Sequence, residues 1–476
     1  MDRNACAVPG AAAYNRAMTS SDFSLRAFLA ACERDDPRSV LRFGERIALD
    51  YEATAIALEL ERGRSWQSPV LWFDRVEDYA MPVVTNVFAS RRRYALAFGT
   101  TEERLITEWA SRGDRAIEPR TVESGPVQEV VYRGADVDLA RIPIKKHFER
   151  DAGRYITNGI VIARDPETGV RNASFHRMQV KGRTRLGTSL HSRRHLWDYV
   201  KRAEELGKEI PVAVVIGAHP MFTFAGLWKG PMTTDEYAVC GGLMGRAMDV
   251  LPCRTVPVDV PADAEIVLEG HILPGVREPE GPFAEFTGYH SERSTEQVIE
   301  VTAITHRKDA VYQDIVGGMS DEHCSLLAVP QEARLIRALR GHMSNVTAVA
   351  YPKSGTCRLH AVIAMKNPTV GQQKNAAMIA FAEDISLKLV IIVDDDVDVF
   401  NDQDVFWAMA TRFQADEDID VIRNAFGAIL DPSNHAGRTA KMIIDATRPS
   451  ANFPQRHTLP EAAVQRARAL LARVAR

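Results

Sequence analysis

The sequence predicts an α/β protein built from three successive units. Its 476 residues are too many for a single hydrophobic core. Apolar residues recur at helical spacing in some segments and form short β-rich runs in others, and this mixture changes near residues 126 and 330. A hydrophobic fraction of 45% with 26% charged residues is ordinary for a soluble globular protein.

The first unit is predicted to be a small α/β domain over residues 22–115, preceded by a flexible extension over residues 1–21. Ser20, Ser21 and Asp22 are good caps for the first helix, and Met18 is a second candidate start of translation. The predicted elements are helices over Leu25–Cys32 and Thr54–Glu61, a strand over Val70–Phe73, an extended segment over Pro82–Phe88, and helices over Ser90–Phe98 and Thr101–Ser111.

The second unit is predicted over residues 116–325, where short β-rich runs dominate. The predicted strands are Val127–Tyr132, Ile156–Ala163, Phe175–Val180, Val212–Ile216, Glu265–Glu269 and Val298–His306. Helices over His195–Leu206 and Thr234–Met248 interrupt them. Antiparallel strands with long excursions indicate a barrel-like or α+β domain.

The third unit is predicted over residues 326–455, followed by a C-terminal helix within residues 456–476. The predicted elements are helices over Gln331–Arg340, Gln372–Asp384, Val405–Arg412 and Pro460–Val474, and strands over Val346–Tyr351, His360–Ala364 and Leu389–Val393. Its apolar strand and helices offer more hydrophobic surface than one small α/β layer covers. We therefore expect a homodimer or a higher homo-oligomer built through residues 330–450.

Charge and composition argue against several classes of function. The formal net charge of −4 disfavours a general nucleic-acid-binding protein, which needs a basic surface for phosphates. No apolar run is long enough to span a bilayer, and the first residues lack the hydrophobic core of a signal peptide. The six cysteines have no C-x-x-C spacing, so neither a zinc ribbon nor a disulfide framework is indicated. A reduced, cytoplasmic protein is expected.

The stretch Arg277–His290 combines carboxylates, prolines and aromatic residues in the order R-E-P-E-G-P-F-A-E-F-T-G-Y-H. Its carboxylates are those of Glu278, Glu280 and Glu285. The two prolines predict an ordered loop, because proline interrupts helices and central strands. The aromatic residues expected to bury that loop are Phe283, Phe286 and Tyr289. A buried carboxylate must pair or become protonated, which is how catalytic acids arise, and a solvated acidic turn is the alternative.

Three shorter segments carry residue types used in binding sites. Alternation would place Asn172, Ser174 and His176 on one side of a strand and Arg177 on the other, although an ordinary polar edge has the same pattern. The segment His191–Trp197 opens a helix with two arginines, which suits a phosphate site or a solvated basic turn. In Thr233–Glu236, the glutamate can simply be a first-turn carboxylate favoured by the helix dipole.

The aspartate run Asp394–Asp398 follows an apolar strand directly. Open α/β sheets place ligands at the carboxyl ends of strands, so one interpretation of the run is a divalent-metal site with a metallohydrolase function. No histidine lies near the run, and an acidic loop that is solvated or paired at an interface is at least as good an interpretation. The phosphate-loop, zinc-protease, nucleophile-elbow and dinucleotide motifs are absent from the sequence.

Taken together, these segments resemble the UbiD-like decarboxylases, which use prenylated FMN to exchange CO2 on unsaturated or aromatic acids. The resemblance runs from about residue 40 to residue 450. It rests on Pro82–Arg91, Asn172–Arg177, Val260–Gly270, Pro279–Glu285, Asp321-Glu322, Val393–Asp398, Trp407–Arg412 and Asp445–Thr447. Its most specific part is P-E-G-P-F-A-E with N-A-S-F-H-R upstream.

The resemblance implies roles for individual positions. The ligands of a divalent ion that clamps the cofactor phosphate, Mn2+ or Mg2+, would be Asn172, His195 and Glu236. The cofactor-binding residues would be Asn172, Ser174, Phe175, His176, Arg177, Arg194, Trp228 and Glu236. The catalytic network would be Arg177, Glu280 and Glu285, with Glu285 as proton donor. A K+ site is implied near Ala225, Gly226 and Trp228, with Arg412 from the far domain. A phosphate-binding lysine used by some members has no counterpart around Ala382, and Arg194 could replace it.

The implied fold is a small N-terminal α/β domain, a central split-barrel flavin-reductase-like domain and a C-terminal α/β oligomerisation domain. The implied reaction is reversible, non-oxidative decarboxylation of an α,β-unsaturated, aromatic or heteroaromatic carboxylic acid, with a flavin prenyltransferase as supplier of the cofactor. The acid pocket would be lined by His323, Leu326 and Leu327, and a histidine there suits a polar or heteroaromatic ring. Two alternatives stay open: a carboxylase using the same machinery, and a non-catalytic flavin-binding protein.

Overall fold

The computed structural model describes residues 23–62, 68–190, 195–450 and 452–474. The predicted extension over residues 1–21, the caps Ser20–Asp22 and the cofactor candidate Arg194 lie outside the described residues. The described chain forms three units, each organised around a principal β-sheet. None of the helices in these ranges combines the length and the apolar character needed to cross a bilayer.

The N-terminal unit contains four helices and a four-stranded sheet. Its helices are α1 (Leu25–Asp35), α2 (Glu52–Glu61), α3 (Arg91–Phe98) and α4 (Glu102–Arg112). Its strands are β1 (Val40–Ile47), β2 (Val70–Val76) and β3 (Val83–Thr85). The fourth strand, Tyr312–Gln313, comes from far along the chain and pairs in parallel with β3. The domain is therefore not confined to residues 22–115, and no local pattern could reveal its last strand.

The central unit is built on a curled, nine-stranded sheet. The strands of this sheet are β5 (Val130–Arg133), β6 (Tyr155–Ile156), β7 (Ile160–Arg164), β8 (Arg171–Phe175), β9 (Met178–Val180), β10 (Arg185–Thr188), β11 (Ile210–Ile216), β14 (Ile266–Glu280) and β15 (Ser294–His306). Three further short strands are β4 (Arg120–Thr121), β12 (Asp249–Pro252) and β13 (Asp259–Pro261). The order is β6-β9-β10-β15-β14-β11-β7-β8, with β5 on β15, while β4, β12 and β13 form a small separate sheet. Its helices are α5 (His195–Glu205), α6 (Pro220–Ala225) and α7 (Glu236–Met244).

Three predicted strands of this unit are interrupted. Residues 126–128 form a 3-10 turn before β5, and residues 157–159 separate β6 from β7. The predicted strand Phe175–Val180 breaks between β8 and β9, which leaves His176 and Arg177 in the gap. A Cβ atom on Gly159 would overlap the end of the Met178 side chain, so a larger residue there would require that side chain to shift. The second and third breaks lie beside each other, since His176 N donates to Gly159 O at 3.2 Å.

The first residues of the predicted loop Arg277–His290 are instead part of a strand. β14 extends to Glu280, and Pro279 pairs with Thr295 of β15. Proline is tolerated there because β11 pairs with β14 only from Ile266 to Ile272, which leaves this end of β14 at a sheet edge. The loop therefore begins at Gly281.

The C-terminal unit follows the long helix α8 (Asp321–Arg340) and contains a five-stranded sheet. With β16 naming Tyr312–Gln313, its strands are β17 (Val346–Ala350), β18 (His360–Met365), β19 (Leu389–Asp394), β20 (Ile419–Phe426) and β21 (Arg438–Ala446). The order is β17-β18-β19-β21-β20, with the three middle strands parallel. Its remaining helices are α9 (Gln372–Glu383), α10 (Asp402–Arg412) and α11 (Glu461–Val474). The prediction that a helix begins at Gln331 is wrong, because Pro330 lies inside α8.

The first turn of α8 joins the three units. The buried carboxylate of Glu322 accepts hydrogen bonds from Thr85 Oγ1 at 3.0 Å and from Val316 N at 3.2 Å. The neighbouring Asp321 pairs with Lys353 Nζ at 2.6 Å, and Lys353 also contacts Glu61 at 3.1 Å. These polar links cross the boundaries between units, so the start of α8 is held against both the N-terminal and the C-terminal unit.

Candidate active site

Arg177 lies in the gap between β8 and β9 and reaches the end of β14. Its guanidinium donates two hydrogen bonds to Glu280, from Nε to Oε1 at 3.0 Å and from Nη2 to Oε2 at 2.8 Å. A third hydrogen bond runs from Nη1 to Oε1 of Glu285. The guanidinium carbon also lies 5.0 Å from the centre of the Phe283 ring. The structure thus brings the three residues of the implied catalytic network together.

Glu285 is carried by a closed loop over residues 281–291. Backbone hydrogen bonds from Glu285 N to Tyr289 O and from Ser291 N to Phe283 O, both 2.8 Å long, close this loop. Phe283 and Phe286 are buried as expected, but Tyr289 is 63% exposed. The expectation that Tyr289 helps to bury the loop is therefore wrong, and the two phenylalanines anchor it.

Both carboxylates of the network are shielded from water. Glu280 is 0% exposed and Glu285 is 7% exposed. Burial raises the pKa of Glu285, the positive charge of Arg177 opposes that shift, and the negative charges of Glu280 and Asp151 add to it. The net effect raises the pKa of Glu285, so its carboxyl group holds a proton more readily than a freely solvated glutamate does.

Tyr155 supports the network from β6, although no motif in the sequence marks it. Its hydroxyl accepts a hydrogen bond from Gly281 N at 3.2 Å, and its ring centre lies 4.7 Å from that of Phe283. Burial and the neighbouring Glu280 both raise the pKa of Tyr155, so the phenol stays neutral and can donate to that carboxylate. Its position holds the start of the loop beneath Arg177.

Asp151 is a second supporting residue that no sequence pattern marks. Its carboxylate is 0% exposed and accepts hydrogen bonds from Ala284 N and Phe148 N, both at 2.9 Å. Because Ala284 directly precedes Glu285, Asp151 fixes the backbone at the position of the implied acid. This role follows from contacts in the folded structure and not from a spacing of residues along the chain.

Replacing Asp151 with asparagine is expected to move the pH dependence of turnover. The substitution removes a negative charge that raises the pKa of Glu285, so that pKa should fall. A rate that needs protonated Glu285 declines as pH rises through this pKa, and the declining limb should therefore lie at lower pH in D151N. The measurement is kcat against pH for both proteins, with thermal melting to check the fold. Asp78→Asn, whose side chain is 94% exposed, is the matched control, and an unmoved limb in D151N would contradict the coupling.

The three implied metal ligands lie together at the start of three elements. Asn172 is the second residue of β8, His195 opens α5 and Glu236 opens α7. Oε1 of Glu236 lies 3.2 Å from Nδ2 of Asn172 and 3.9 Å from Nδ1 of His195, while Oε2 accepts a hydrogen bond from Ala173 N at 2.9 Å. The spacing along the chain is long, so the fold alone makes this cluster.

The carboxylate of this cluster is buried. Glu236 is 2% exposed, and burial raises its pKa to about 8. Among the described residues, no lysine or arginine forms a hydrogen bond or an ion pair with this carboxylate. The neighbouring Arg171 pairs with Asp235 instead, at 2.9 Å. The described chain holds no group of three or more His, Cys, Asp or Glu side chains that could bind a metal, so an ion here would need the amide oxygen of Asn172 and ligands from outside the protein. In the structure the amide nitrogen of Asn172 faces Glu236 and its amide oxygen accepts from Ser174, so binding an ion here also requires the Asn172 amide to turn over.

The remaining cofactor candidates on this strand surround the cluster. Ser174 Oγ lies 2.8 Å from Oδ1 of Asn172 and 2.9 Å from Nε2 of His176, which places all three on one side as the alternation predicted. Phe175 packs against the hydrophobic core. The backbone at Gly226 approaches β8, because a Cβ there would lie 3.6 Å from the carbonyl oxygen of Ala173.

Trp228 and Arg412 are used elsewhere in the chain. The Trp228 ring packs directly on the backbone of Gly113, and Arg337 lies over the same ring at 5.3 Å. Arg412 pairs with Asp394 at 2.7 Å and with Asp396 at 2.8 Å. These contacts keep Arg412 within the C-terminal unit, so this chain does not bring it to residues 225–228. They also neutralise part of the aspartate run, which disfavours a metallohydrolase there.

The implied substrate residues lie at the start of α8. Leu326 is 5% exposed and belongs to the hydrophobic core, whereas His323 and Leu327 are half-buried. Burial lowers the pKa of His323 to about 4, and its Nδ1 donates to Gly318 O at 3.0 Å. The adjacent glycine, Gly317, packs against Phe283, since a Cβ there would lie 3.3 Å from that ring. His323 is thus connected through Gly318 and Gly317 to the loop that carries Glu285.

Sequence comparisons assign three consecutive parts of the chain. Residues 35–113 match the N-terminal domain of 3-octaprenyl-4-hydroxybenzoate carboxy-lyase (UbiD), residues 120–320 its Rift-related domain, and residues 324–446 its C-terminal domain. The chain is also 36% identical over 409 residues to anhydromevalonate phosphate decarboxylase of Methanothermobacter thermautotrophicus, a match that covers 86% of this chain and 94% of the relative.

Solved structures give the same result. The UbiD-class enzyme HmfF from Pelotomaculum thermopropionicum in complex with FMN aligns with a TM-score of 0.88 at 38% identity, over 93% of this chain and 98% of that one. An evolved dimeric form of HmfF in complex with prFMN aligns with a TM-score of 0.84 at 36% identity, over 93% and 98% of the two chains. These matches span all three units of the fold, and the chain therefore belongs to the UbiD family of carboxy-lyases.

Proposed function

We propose that this protein catalyses the reversible, non-oxidative decarboxylation of an α,β-unsaturated, aromatic or heteroaromatic carboxylic acid with prenylated FMN as cofactor. One observation carries this proposal. The Arg177–Glu280–Glu285 network and the cluster of Asn172, His195 and Glu236 are joined by one segment, residues 172–177. A flavin held by the cluster would therefore meet a proton donor held by the network.

The cofactor and the protein would contribute different parts of the chemistry. Loss of CO2 leaves an electron pair on carbon, and prenylated FMN would supply the electron sink that side chains cannot provide. The chain itself must orient the acid, exclude water and deliver a proton. Phe283 and Phe286 exclude water at the loop, and Arg177 fixes the two carboxylates.

Glu285 is our candidate for the proton donor, and Glu280 for the ionised partner. Glu280 receives both arms of the Arg177 fork, an arrangement that favours a carboxylate. Glu285 receives one hydrogen bond from the same arginine, and burial raises its pKa. A carboxyl group with a raised pKa is suited to act as a general acid near neutral pH.

Asn172, His195 and Glu236 are proposed to hold one divalent ion, Mn2+ or Mg2+, which would supply positive charge for binding the cofactor phosphate. One amide oxygen, one imidazole and one carboxylate form a ligand set suited to such ions. Ser174 and His176, which lie beside Asn172, are proposed to line the cofactor site. A K+ ion near Ala225 and Gly226 is also part of the proposal.

The substrate is proposed to lie between the loop over residues 281–291 and the start of α8. His323 and Leu327 offer a half-buried, partly polar surface there, which suits a polar or heteroaromatic ring. The relative from Methanothermobacter acts, by its name, on anhydromevalonate phosphate. The size and charge of the acid are therefore best found by screening.

The proposed function is tested on protein co-expressed with a flavin prenyltransferase, the proposed supplier of the cofactor. The absorption spectrum and mass of the bound cofactor should match prenylated FMN, and a panel of acrylic, aromatic and heteroaromatic acids should include one that releases CO2. A protein that binds the cofactor but releases CO2 from none of them, and fixes none from bicarbonate into the corresponding decarboxylated compounds, would instead be a non-catalytic flavin-binding protein.

The chain is also proposed to act as a homodimer or a higher homo-oligomer built through residues 330–450. Exposed apolar residues of this part include Val421 and Ile422 on the edge strand β20, at 50% and 39% exposure. An edge strand with exposed apolar side chains is a common surface for pairing with another chain.

A further inference from the structure

The last helix, α11, has an apolar stripe that the described part of the chain leaves uncovered. At 100° per residue, one face of α11 about 120° wide carries the side chains of Ala463, Val464, Ala467, Leu470 and Leu471. Leu470 and Leu471 are 52% and 68% exposed. Arg466 and Arg468 flank this apolar stripe on its two sides. A helix of 14 residues is only marginally stable alone in water, so a partner surface is expected to stabilise it.

The segment before α11 is attached at one defined place. Arg456 Nη2 donates to Asp404 Oδ1 at 2.6 Å, and the guanidinium lies 4.3 Å from the centre of the Trp407 ring. Asp404 and Trp407 belong to α10, and Glu461, the first residue of α11, is the fifth residue after Arg456. Five extended residues span at most about 17 Å, so α11 begins close to this end of the C-terminal unit.

That end of the unit is acidic. Asp394 ends β19, and Asp445 N donates to Asp418 O at 3.0 Å, so the carboxyl ends of β19 and β21 meet the start of β20 at one edge of the sheet. The exposed carboxylates at this edge, which we call the acidic edge, are those of Asp395, Asp398, Asp416 and Glu417.

Exposed apolar residues are concentrated in the same part of the chain. Of the 17 large apolar side chains that are exposed in the described residues, 12 lie between Val370 and Leu471. Phe406 on α10 is 60% exposed, and Val421 and Ile422 on β20 are also exposed. The C-terminal unit thus offers apolar surface and negative charge, while α11 offers an apolar stripe and positive charge.

We propose that α11 is an exchanged arm: the apolar stripe of one copy packs on the C-terminal unit of a second copy, with Arg466 and Arg468 facing the acidic edge of that copy. The binding surface for the stripe is not on the C-terminal unit of the same copy. The short segment after Arg456 already places α11 beside that unit, and the stripe stays exposed there. A membrane surface is a poorer match, because α11 has no aromatic residue to anchor it. Two such arms related by a twofold axis form a closed, self-complementary interface.

This inference rests on the proposed self-association and is independent of the chemistry of the site. The test is light scattering and sedimentation of the full chain over a dilution series. The wild type should be a dimer or a multiple of one at micromolar concentration. Leu471→Glu should raise the dissociation constant for self-association about tenfold or more, because it places a charge in an apolar contact. Ala469→Glu adds the same charge on the opposite face of α11 and should change it little.

Charge pairing gives a second measurement. Arg466→Glu with Arg468→Glu should weaken self-association, and Asp395→Lys with Asp398→Lys added to that variant should restore part of it. A monomeric wild type would overturn both the self-association and the arm. Unchanged self-association of Leu471→Glu would overturn the arm alone. Binding of the wild type to vesicles containing phosphatidylserine, lost in Leu471→Glu without a change in mass, would assign the helix to a membrane surface instead.

Discussion

Glu285→Gln is expected to bind cofactor and substrate normally and to lose turnover by roughly 10²-fold or more. Glutamine keeps the size of the side chain and an oxygen that can accept the hydrogen bond from Arg177. It has no acidic proton to give to the carbon that has lost CO2. In the wild type, solvent deuterium should appear at that carbon of the product, and in the variant this incorporation should slow together with turnover.

A matched control lies in the same stretch of sequence. Glu278 pairs with Arg185 at 2.7 Å, its side chain is 27% exposed, and the hydrogen bonds of Arg177 go to Glu280 and Glu285 instead. Glu278→Gln should therefore keep turnover close to that of the wild type. Near-normal decarboxylation by Glu285→Gln, with the cofactor shown to be bound, would remove Glu285 from the mechanism and point to Glu280 or a bound water.

The secondary structure can be predicted where the local pattern and the fold agree. Leu389–Val393 is apolar throughout, and it forms the middle of the C-terminal sheet as β19. Sequence patterns miss β1 because its residues alternate with charged side chains that face water, so that the run V-L-R-F-G-E-R-I does not stand out. They misplace the start of α8 because proline usually marks a helix boundary, whereas the residues before Pro330 are already helical.

The candidate site can be predicted only in pieces from residue patterns. Alternation places Asn172, Ser174 and His176 on one side of a strand, and the hydrogen bonds of Ser174 agree. Nothing local shows that Arg177 meets Glu280, which lies 103 residues further along the chain. The resemblance to the UbiD family supplies that pairing, and the split-barrel fold with it, because neither follows from periodicity. Both the family and the three-domain fold are confirmed.

The supporting residues escape sequence patterns for a physical reason. Tyr155 and Asp151 act through contacts with the backbone of Gly281 and Ala284, and such contacts leave no mark on the spacing of side chains. They become visible only when β14 and the loop after it are folded against β6 and the segment before it. Positioning residues of this kind follow from the structure and not from motifs.

Glu236→Ala is expected to lose both the divalent ion and the flavin. Glu236 is 2% exposed, and its partners are the Asn172 amide, the Ala173 backbone and the His195 ring. Removing even an outer partner of a metal ligand typically costs about 10–100-fold in metal affinity, and a direct ligand should cost at least as much. The measurements are elemental analysis for the metal and absorbance for bound flavin. Glu205→Ala on α5, whose side chain is 65% exposed, should retain both.

A second variant separates the charge of Glu236 from its place in the fold. Alanine leaves the Ala173 N–H without its acceptor, which costs about 1–3 kcal/mol of stability, so a loss of flavin in Glu236→Ala has two possible causes. Glu236→Gln keeps an acceptor for that N–H and removes only the negative charge. If the carboxylate binds a cation, Glu236→Gln should fold normally and still lose the metal, and the flavin with it. Full flavin occupancy in Glu236→Gln without metal would show that the cofactor is held by other residues and that the clamp assignment is wrong.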